Sequence, residues 1–305
     1  MKNNKVVVFG GSGFLGSHVA DTLTNSGYDV TIFDRIKSPY INKNQKMVIG
    51  NIIDQKQVRN VIKDSKYVYH FAGIADIHEA MEKPIDTVKY NILPTTYILD
   101  ACREYNIKRF IYASTIYVYS DLGSFYTTSK QTCELLIANY KNIYNVDYTI
   151  LRFGSLYGKR ANDFNSINKF IKQALLENKI EREGDGQDKR EYINVLDAAQ
   201  ASVRALDKKY TCSCLLITGQ EKLAIKEVLD TINEIFGNKI VITYKGSSSE
   251  EHYKLTPYSF CPMIAKKVTL DNYYDFGQGI LDIIHEMYDE FNNLEEKKQI
   301  IKPPD

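Results

Sequence analysis

The stretch SFYTTSK, residues 124–130, sets Tyr126 four residues ahead of Lys130. On a helix two residues at that spacing share a face, so a phenol and an ammonium placed there reach one cavity together. A free tyrosine, with a pKa of about 10, is ionised in only about one molecule in a thousand at pH 7, which makes a poor base. A neighbouring ammonium favours the phenolate, and lowering the pKa by about three units needs roughly 4 kcal/mol of differential interaction. The pair is a candidate proton-transfer device. A chain with 23 tyrosines can also produce such a spacing by accident, so the elements around it have to decide.

A second chemical signal lies near the start. GGSGFLG places Gly10, Gly13 and Gly16 three apart, between the β-rich run KVVVFG and the amphipathic run FLGSHVADTLTNSG. Glycines let a strand turn tightly into a helix and let the backbone approach a pyrophosphate, whose charge the helix N-terminus then meets. Asp34 closes the next β-rich run, 18 residues after Gly16, where a carboxylate can accept hydrogen bonds from an adenine-side ribose diol. The same charge repels a 2′-phosphate, so the expected cofactor is NAD rather than NADP, with Arg35 next door as the opposing influence.

These residues need a scaffold, and the first half of the chain supplies its pattern. KVVVFG, DVTIFD, YVYHFAG, RFIYAS and DYTILRF read as strands, and the segments between them carry apolar residues at helical spacing. Alternation of this kind predicts an α/β fold, a doubly wound parallel sheet of Rossmann type. Pro94 is expected to kink or divide the helix spanning residues 87–105. After about residue 154 the alternation loosens into SINKFIKQALLEN, AIKEVLDTINEIFG, CLLITG and KIVITYKG, two helices and two strands. GSSSEEHYK reads as a polar loop and the last 14 residues as a charged, frayed end.

Bulk properties narrow the partners. A formal net charge of +1 gives no reason to expect nucleic acid or an anionic membrane. No apolar run approaches the roughly 18 residues that span a bilayer, and the opening residues lack a signal-peptide core, so a cytoplasmic location is expected. The five cysteines, at 102, 133, 212, 214 and 261, suggest neither a disulfide framework nor a metal site. Cys212 and Cys214 are expected as small core residues on one strand face. His18 and His70 read as packing residues.

Taken in order, the glycines, Asp34, GNIID with Asp54, HFAG, Asn91, ASTIYVY and the Tyr126/Lys130 pair resemble the extended short-chain dehydrogenase/reductase family, in its NAD-dependent sugar-nucleotide epimerase/dehydratase branch. LRFGSLYGKR and GDGQDKREYINVLD extend the resemblance over roughly residues 4–235. The resemblance implies Thr115, Tyr126 and Lys130 as catalytic residues. Tyr126 takes the proton of a sugar hydroxyl, Thr115 orients the same oxygen, and Lys130 lowers the tyrosine pKa and holds the nicotinamide ribose. It implies cofactor contacts at Gly10, Gly13, Phe14, Leu15, Gly16, Asp34, Asp54, Gln55, Ala72 and Lys130. Substrate contacts are implied at Ser155 and at Arg190, whose guanidinium would grip a pyrophosphate, and a structural role at Asn91.

Departures from the family pattern narrow the reaction. Ile116 and Tyr117 stand where the 4,6-dehydratases carry an Asp-Glu pair, so dehydration is disfavoured, and the cysteine of the fucose-type epimerase-reductases is absent. Only ten residues separate Thr115 from Tyr126, which is expected to leave the sugar side of the pocket open. The segment YKLTPYSFCPMIAKKVTLD lacks the arginine of a second pyrophosphate contact.

The resulting expectation is an NAD-binding domain over residues 1–153, rejoined by about 187–220, with a smaller C-terminal α/β substrate domain from 154–186 and 221–305. Its function is oxidation at C4 of a nucleotide-diphosphate sugar, foremost as a 4-epimerase. The runner-up is a net 4-dehydrogenase of a nucleotide-linked hexose or heptose; a reductase of lipophilic substrates and a non-catalytic NAD-binding scaffold are the remaining alternatives. By resemblance a homodimer forms through the helices carrying Asn91 and Lys130.

Overall fold

The computed structural model describes residues 4–246 except 121, 220 and 221. The expectations for residues 247–305, including the frayed end and most of the second substrate-domain segment, lie outside the described residues. No helix among the described residues is long and apolar enough to cross a membrane.

Strand β1 (Lys5–Phe9) leads through the glycine turn into α1 (Phe14–Asn25) and β2 (Asp29–Asp34), followed by β3 (Gln45–Ile49) and α2 (Gln55–Ile62). The chain then crosses to β4 (Tyr67–His70), which pairs with the other edge of β1. Two short helices, α3 (Ile77–Glu82) and α4 (Pro84–Thr87), precede a wide turn at Val88–Ile92 and α5 (Leu93–Glu104). Pro94 does not break the expected helix: the backbone stays helical from 84 to 104, and Pro94 falls where the wide turn at Val88–Ile92 passes into α5. β5 (Arg109–Thr115), a tight turn at Ile116–Tyr119, α6 (Ser124–Tyr144) and β6 (Tyr148–Phe153) complete this half.

The large sheet has seven strands. Six come from elements already introduced and the seventh, β10 (Ser213–Ile217), joins beside β6; the order is β10-β6-β5-β4-β1-β2-β3. Every pairing in it is parallel. Both faces are covered, which is why β1 reads as an unbroken apolar run rather than an alternating one. Val6 and Val8 pack with Val19, Leu23 and Ile32 on one face, while Val7 and Phe9 pack with Phe33, Ile62 and Leu99 on the other. Because the chain leaves β1 for β2 on one side and later returns to β4 on the other, a crevice opens at the C-terminal ends of β1 and β4, the usual ligand position in such sheets.

The remaining elements build a smaller core. β7 (Ser155–Tyr157), α7 (Ser166–Glu177), β8 (Lys179–Glu183) and β9 (Lys189–Asn194) come first; α8 (Val195–Arg204) and β10 then return to the large sheet. β11 (Lys222–Ala224), α9 (Ile225–Ile235) and β12 (Val241–Lys245) follow. One small sheet has the order β11-β9-β7 and another pairs β12 with β8. Phe170, Ala174, Ile180, Leu229 and Ile232 form the buried centre. β9, expected with the larger part, pairs instead with β7 and β11, so the return begins at α8. Cys212 and Cys214 do not share a core face: Cys212 has φ 55° just before β10, and Cys214 is exposed at the sheet edge.

Candidate active site

The glycine turn is shaped by contact as much as by flexibility. Gly10 has φ +77°, and a Cβ there would lie 2.6 Å from the Ala72 backbone nitrogen. A Cβ on Gly16 would lie 2.2 Å from the Gly10 carbonyl oxygen, so the first turn of α1 can approach the loop only without one. The Gly13 N–H donates to that same carbonyl at 3.1 Å. Asp34, at the end of β2, accepts from the Ser12 N–H at 3.0 Å and the Ile36 N–H at 3.4 Å, which ties its carboxylate to the rim of the loop.

These residues wall a cavity of about 770 Å³ together with Phe14, Leu15, Ala72, Thr115, Tyr126 and Lys130. The cradle that a Cβ would fill and the Asp34 carboxylate tied to the loop fit a dinucleotide of the NAD type. Arg35 and Asn51–Ile52 stand on the same wall. Asp54 and Gln55 do not: Asp54 caps α2, accepting from the Lys56 and Gln57 N–H groups and from the Gln57 amide, which turns it away from the cavity. Asn51, three residues earlier in the same motif, lines the cavity where Asp54 does not.

At the opposite wall Thr115 closes β5. Its hydroxyl accepts from the Tyr117 N–H at 3.2 Å, leaving its own proton to be donated into the cavity. Tyr126 lies in the first turn of α6, which begins beyond Gly123 at φ +87°; a Cβ there would strike Thr127 and Tyr117. Its ring meets that of Tyr117 edge-on at 6.5 Å. One turn on, Lys130 is 7% exposed. Its ammonium donates to the Ala113 carbonyl at 2.8 Å and lies 5.8 Å from the Tyr126 ring centre.

Burial pulls the Lys130 pKa down from 10.5 to about 8, against the opposing influence of Cys133 and Glu134. A folded-state value below the unfolded one means the unfolded chain holds that proton more tightly. The penalty is therefore complete below pH 8 and fades between 8 and about 10.5. In the ligand-free protein, Lys130→Met is expected to raise stability at pH 7 by about 3 kcal/mol. Urea unfolding at pH 7 and at pH 10 checks this, and the gap between variant and wild type should narrow at the higher pH.

Supporting contacts fix α6 against the sheet. Glu134, one turn beyond Lys130, accepts from Ser114 Oγ at 2.6 Å and pairs with Arg152 at 2.5 Å. Asn91, buried in the wide turn, accepts from the Ile74 N–H at 2.7 Å and donates to Ser129 Oγ at 2.9 Å; Ser129 in turn donates to the Tyr126 carbonyl. His70 lies fully buried beneath the site, its pKa lowered to about 3 by burial and by Lys130, and His18 Nε2 donates to the Lys159 backbone oxygen at 2.9 Å. Both are packing residues.

Ser155 lines a smaller pocket of about 170 Å³ that continues beyond Thr115 and Tyr126. Arg190 is not on either wall. It points from β9 with its guanidinium donating to the Lys189 carbonyl at 3.1 Å and only 7% exposed. The site residues that sequence reasoning missed are Ser12, Asn51, Ile77, Tyr117 and Phe153. Ser12 and Asn51 act through position in a loop, and the other three are ordinary apolar or aromatic residues whose spacing carries no signal.

The model of the NAD dependent epimerase/dehydratase family matches residues 6–212. A UDP-N-acetyl-alpha-D-glucosaminuronate decarboxylase of Bacillus cytotoxicus is 29% identical over 76% of this chain and 80% of its own. A UDP-glucuronate 4-epimerase of Thermodesulfobacterium geofontis is 25% identical over 76% of this chain and 81% of its own. Among solved structures, a UDP-N-acetylglucosamine 4-epimerase from Methanobrevibacter ruminantium, in complex with UDP-N-acetylmuramic acid, superposes with a TM-score of 0.77. It is 25% identical and the match covers 85% of this chain and 90% of that one.

Proposed function

The chain belongs to the NAD dependent epimerase/dehydratase family, and from that premise we propose that it oxidises a nucleotide-diphosphate sugar at C4 and returns the sugar as its 4-epimer. It is an NAD-dependent sugar-nucleotide enzyme of the extended short-chain dehydrogenase/reductase type. The observation that carries the finer reading is that Thr115, Tyr126 and Lys130 share one wall of a cavity whose other wall is the dinucleotide cradle.

NAD, when bound, supplies the acceptor and then the donor of two electrons and a hydrogen. Gly10, Gly13 and Gly16 bring the loop backbone against its diphosphate, and Asp34 takes the adenine-side ribose hydroxyls. Tyr126 accepts the proton of the sugar 4-hydroxyl, the Lys130 ammonium stabilises the phenolate, and Thr115 donates to the same sugar oxygen. For the return step the phenol gives the proton back, after the sugar has presented its other face. Residues 154–194 and 222–246, with their own buried core, are assigned to the sugar-nucleotide side. A C4-deuterated substrate tests the reading, because only an epimerase keeps the label in a C4 epimer.

A second reading, net 4-dehydrogenation, draws support from the short connection to Tyr126: only residues 120–123 lie between the turn at Ile116–Tyr119 and α6. A cover so brief favours escape of a ketone.

Pairing of two copies through α5 and α6 is supported by the apolar side chains these helices and the preceding turn expose, including Val88, Leu93, Leu135 and Ile143. Leu135→Glu is expected to shift the protein from dimer to monomer in sedimentation velocity. A wild type that sediments as a monomer would remove the pairing.

A further inference from the structure

Beside the groups that do the chemistry, α6 and β5 share a second set of contacts. Ala113, Ser114 and Thr115 are the last three residues of β5. The Ala113 carbonyl holds Lys130, Ser114 Oγ donates to Glu134 Oε1 at 2.6 Å, and Thr115 lines the cavity. Lys130 and Glu134 lie one helical turn apart, so two adjacent strand residues set the register of α6.

Arg152 on β6 is the cross-strand partner of Ser114, and Glu134 lies against both. Arg152 Nε donates to Glu134 Oε1 at 3.0 Å, and Nη2 donates to Oε2 at 2.5 Å. Contact at both oxygens fixes the plane of the guanidinium. Its remaining nitrogen, Nη1, donates to the Tyr119 hydroxyl, and its carbon lies 4.6 Å from the centre of the Tyr119 ring. Tyr119 ends the turn that begins directly after Thr115. Gln131 of α6 ties down the same turn by donating to the Val118 carbonyl at 3.1 Å.

The turn matters because the Tyr117 N–H within it donates to Thr115 Oγ1 at 3.2 Å. A shift of the turn re-aims the Thr115 hydroxyl, and a displacement of about 1 Å at a reacting group can cost about a hundredfold in rate. The Glu134 and Arg152 side chains are 12% and 18% exposed. An ion pair so far from water adds little net stability over apolar side chains of the same shape. What it supplies here is direction.

We propose that Glu134, Arg152 and Tyr119 are positioning residues that act as one clamp, aiming the Thr115 hydroxyl by fixing the turn that follows it. The proposal rests on the reading of Thr115 as the hydroxyl that holds the sugar oxygen. The three residues touch neither sugar nor cofactor; they act on the rate through Thr115.

The test follows conversion of UDP-glucose, UDP-N-acetylglucosamine, UDP-glucuronate and dTDP-glucose by NMR on NAD-loaded protein, with kcat and KM determined for whichever the wild type converts fastest. Tyr119→Phe removes one hydroxyl and keeps the ring; it should lower kcat by about tenfold and leave KM within about twofold of wild type. Glu134→Gln keeps the side-chain shape and should lower kcat at least as far. The two substitutions together should cost no more than Glu134→Gln alone, because both cut the same connection. Additive losses, or wild-type kcat in both single variants, overturn the clamp. The pair Glu134→Leu and Arg152→Met removes both charges and leaves neither buried alone, so its urea midpoint should lie near that of wild type while kcat stays low. A wild-type kcat in that double variant assigns the ion pair to stability and overturns the positioning role. Thr115→Val should lower kcat by at least as much as Tyr119→Phe; a wild-type kcat there removes Thr115 from the reaction, and the clamp with it, while leaving Tyr126 and Lys130 standing. Conversion of none of the four compounds by the wild type overturns the nucleotide-sugar reading itself, and the proposal that rests on it.

Discussion

Tyr126→Phe is expected to lower turnover by at least about a hundredfold while leaving NAD affinity within a few-fold of wild type. The substitution keeps the ring that meets Tyr117 edge-on at 6.5 Å and leaves the start of α6 unchanged. What it removes is the oxygen that receives the sugar proton. Thr115 cannot replace it, because a hydroxyl held by the Tyr117 N–H and lacking a base of its own has no means of taking that proton at neutral pH. Lys130 remains and continues to hold its carbonyl on Ala113. Rates of sugar conversion by NMR and NAD binding by calorimetry, on the same preparation, separate the two effects. Turnover at the wild-type rate would remove Tyr126 from the mechanism.

Gly16→Ala should abolish measurable NAD binding by a different route, through the fold of the loop. The added Cβ would sit 2.2 Å from the Gly10 carbonyl oxygen and 3.0 Å from the Gly11 Cα. Both obstacles are backbone, so either the first turn of α1 withdraws or the glycine turn opens. Each displaces the N–H groups that face the diphosphate, and a loss of at least about a hundredfold in NAD affinity is expected. Overpacking of this kind also costs about 1–3 kcal/mol of stability. Gly13→Ala is the matching control: its Cβ meets only the Gly10 oxygen, at 3.3 Å, so the apoprotein should unfold near the wild-type denaturant midpoint. Wild-type NAD affinity in Gly16→Ala would show that the loop does not carry the diphosphate.

The parts of the molecule that could be read from sequence are those where local chemistry is demanding. The β1 and β2 runs, the three glycines and Asp34 announce themselves because a parallel strand buried on both faces must be apolar throughout and a tight loop must lack Cβ atoms. Tyr126 and Lys130 share a helix, so their spacing survives into three dimensions unchanged. Asp54 misled for an equally local reason: a carboxylate just ahead of QKQVRNVI is an N-cap before it is anything else. The β3 strand, QKMVI, has too little alternation to stand out, and β9, KREYIN, becomes a strand through pairing with β7 and β11 rather than through its own residues. Ile77, Tyr117 and Phe153 come from three separate segments and meet only in the folded chain. The placement of Arg190, drawn from resemblance alone, depends on tertiary packing that a motif does not encode.

The account turns on whether the hydrogen removed from C4 is returned to the same sugar. A nucleotide sugar deuterated at C4 and chosen from those that bind, incubated with NAD-loaded protein, follows that hydrogen directly. A C4 epimer that still carries its deuterium, formed without accumulation of reduced cofactor, is the predicted result. Reduced cofactor formed in proportion to protein, visible by its absorbance and accompanied by a released 4-keto sugar with no epimer, would contradict it.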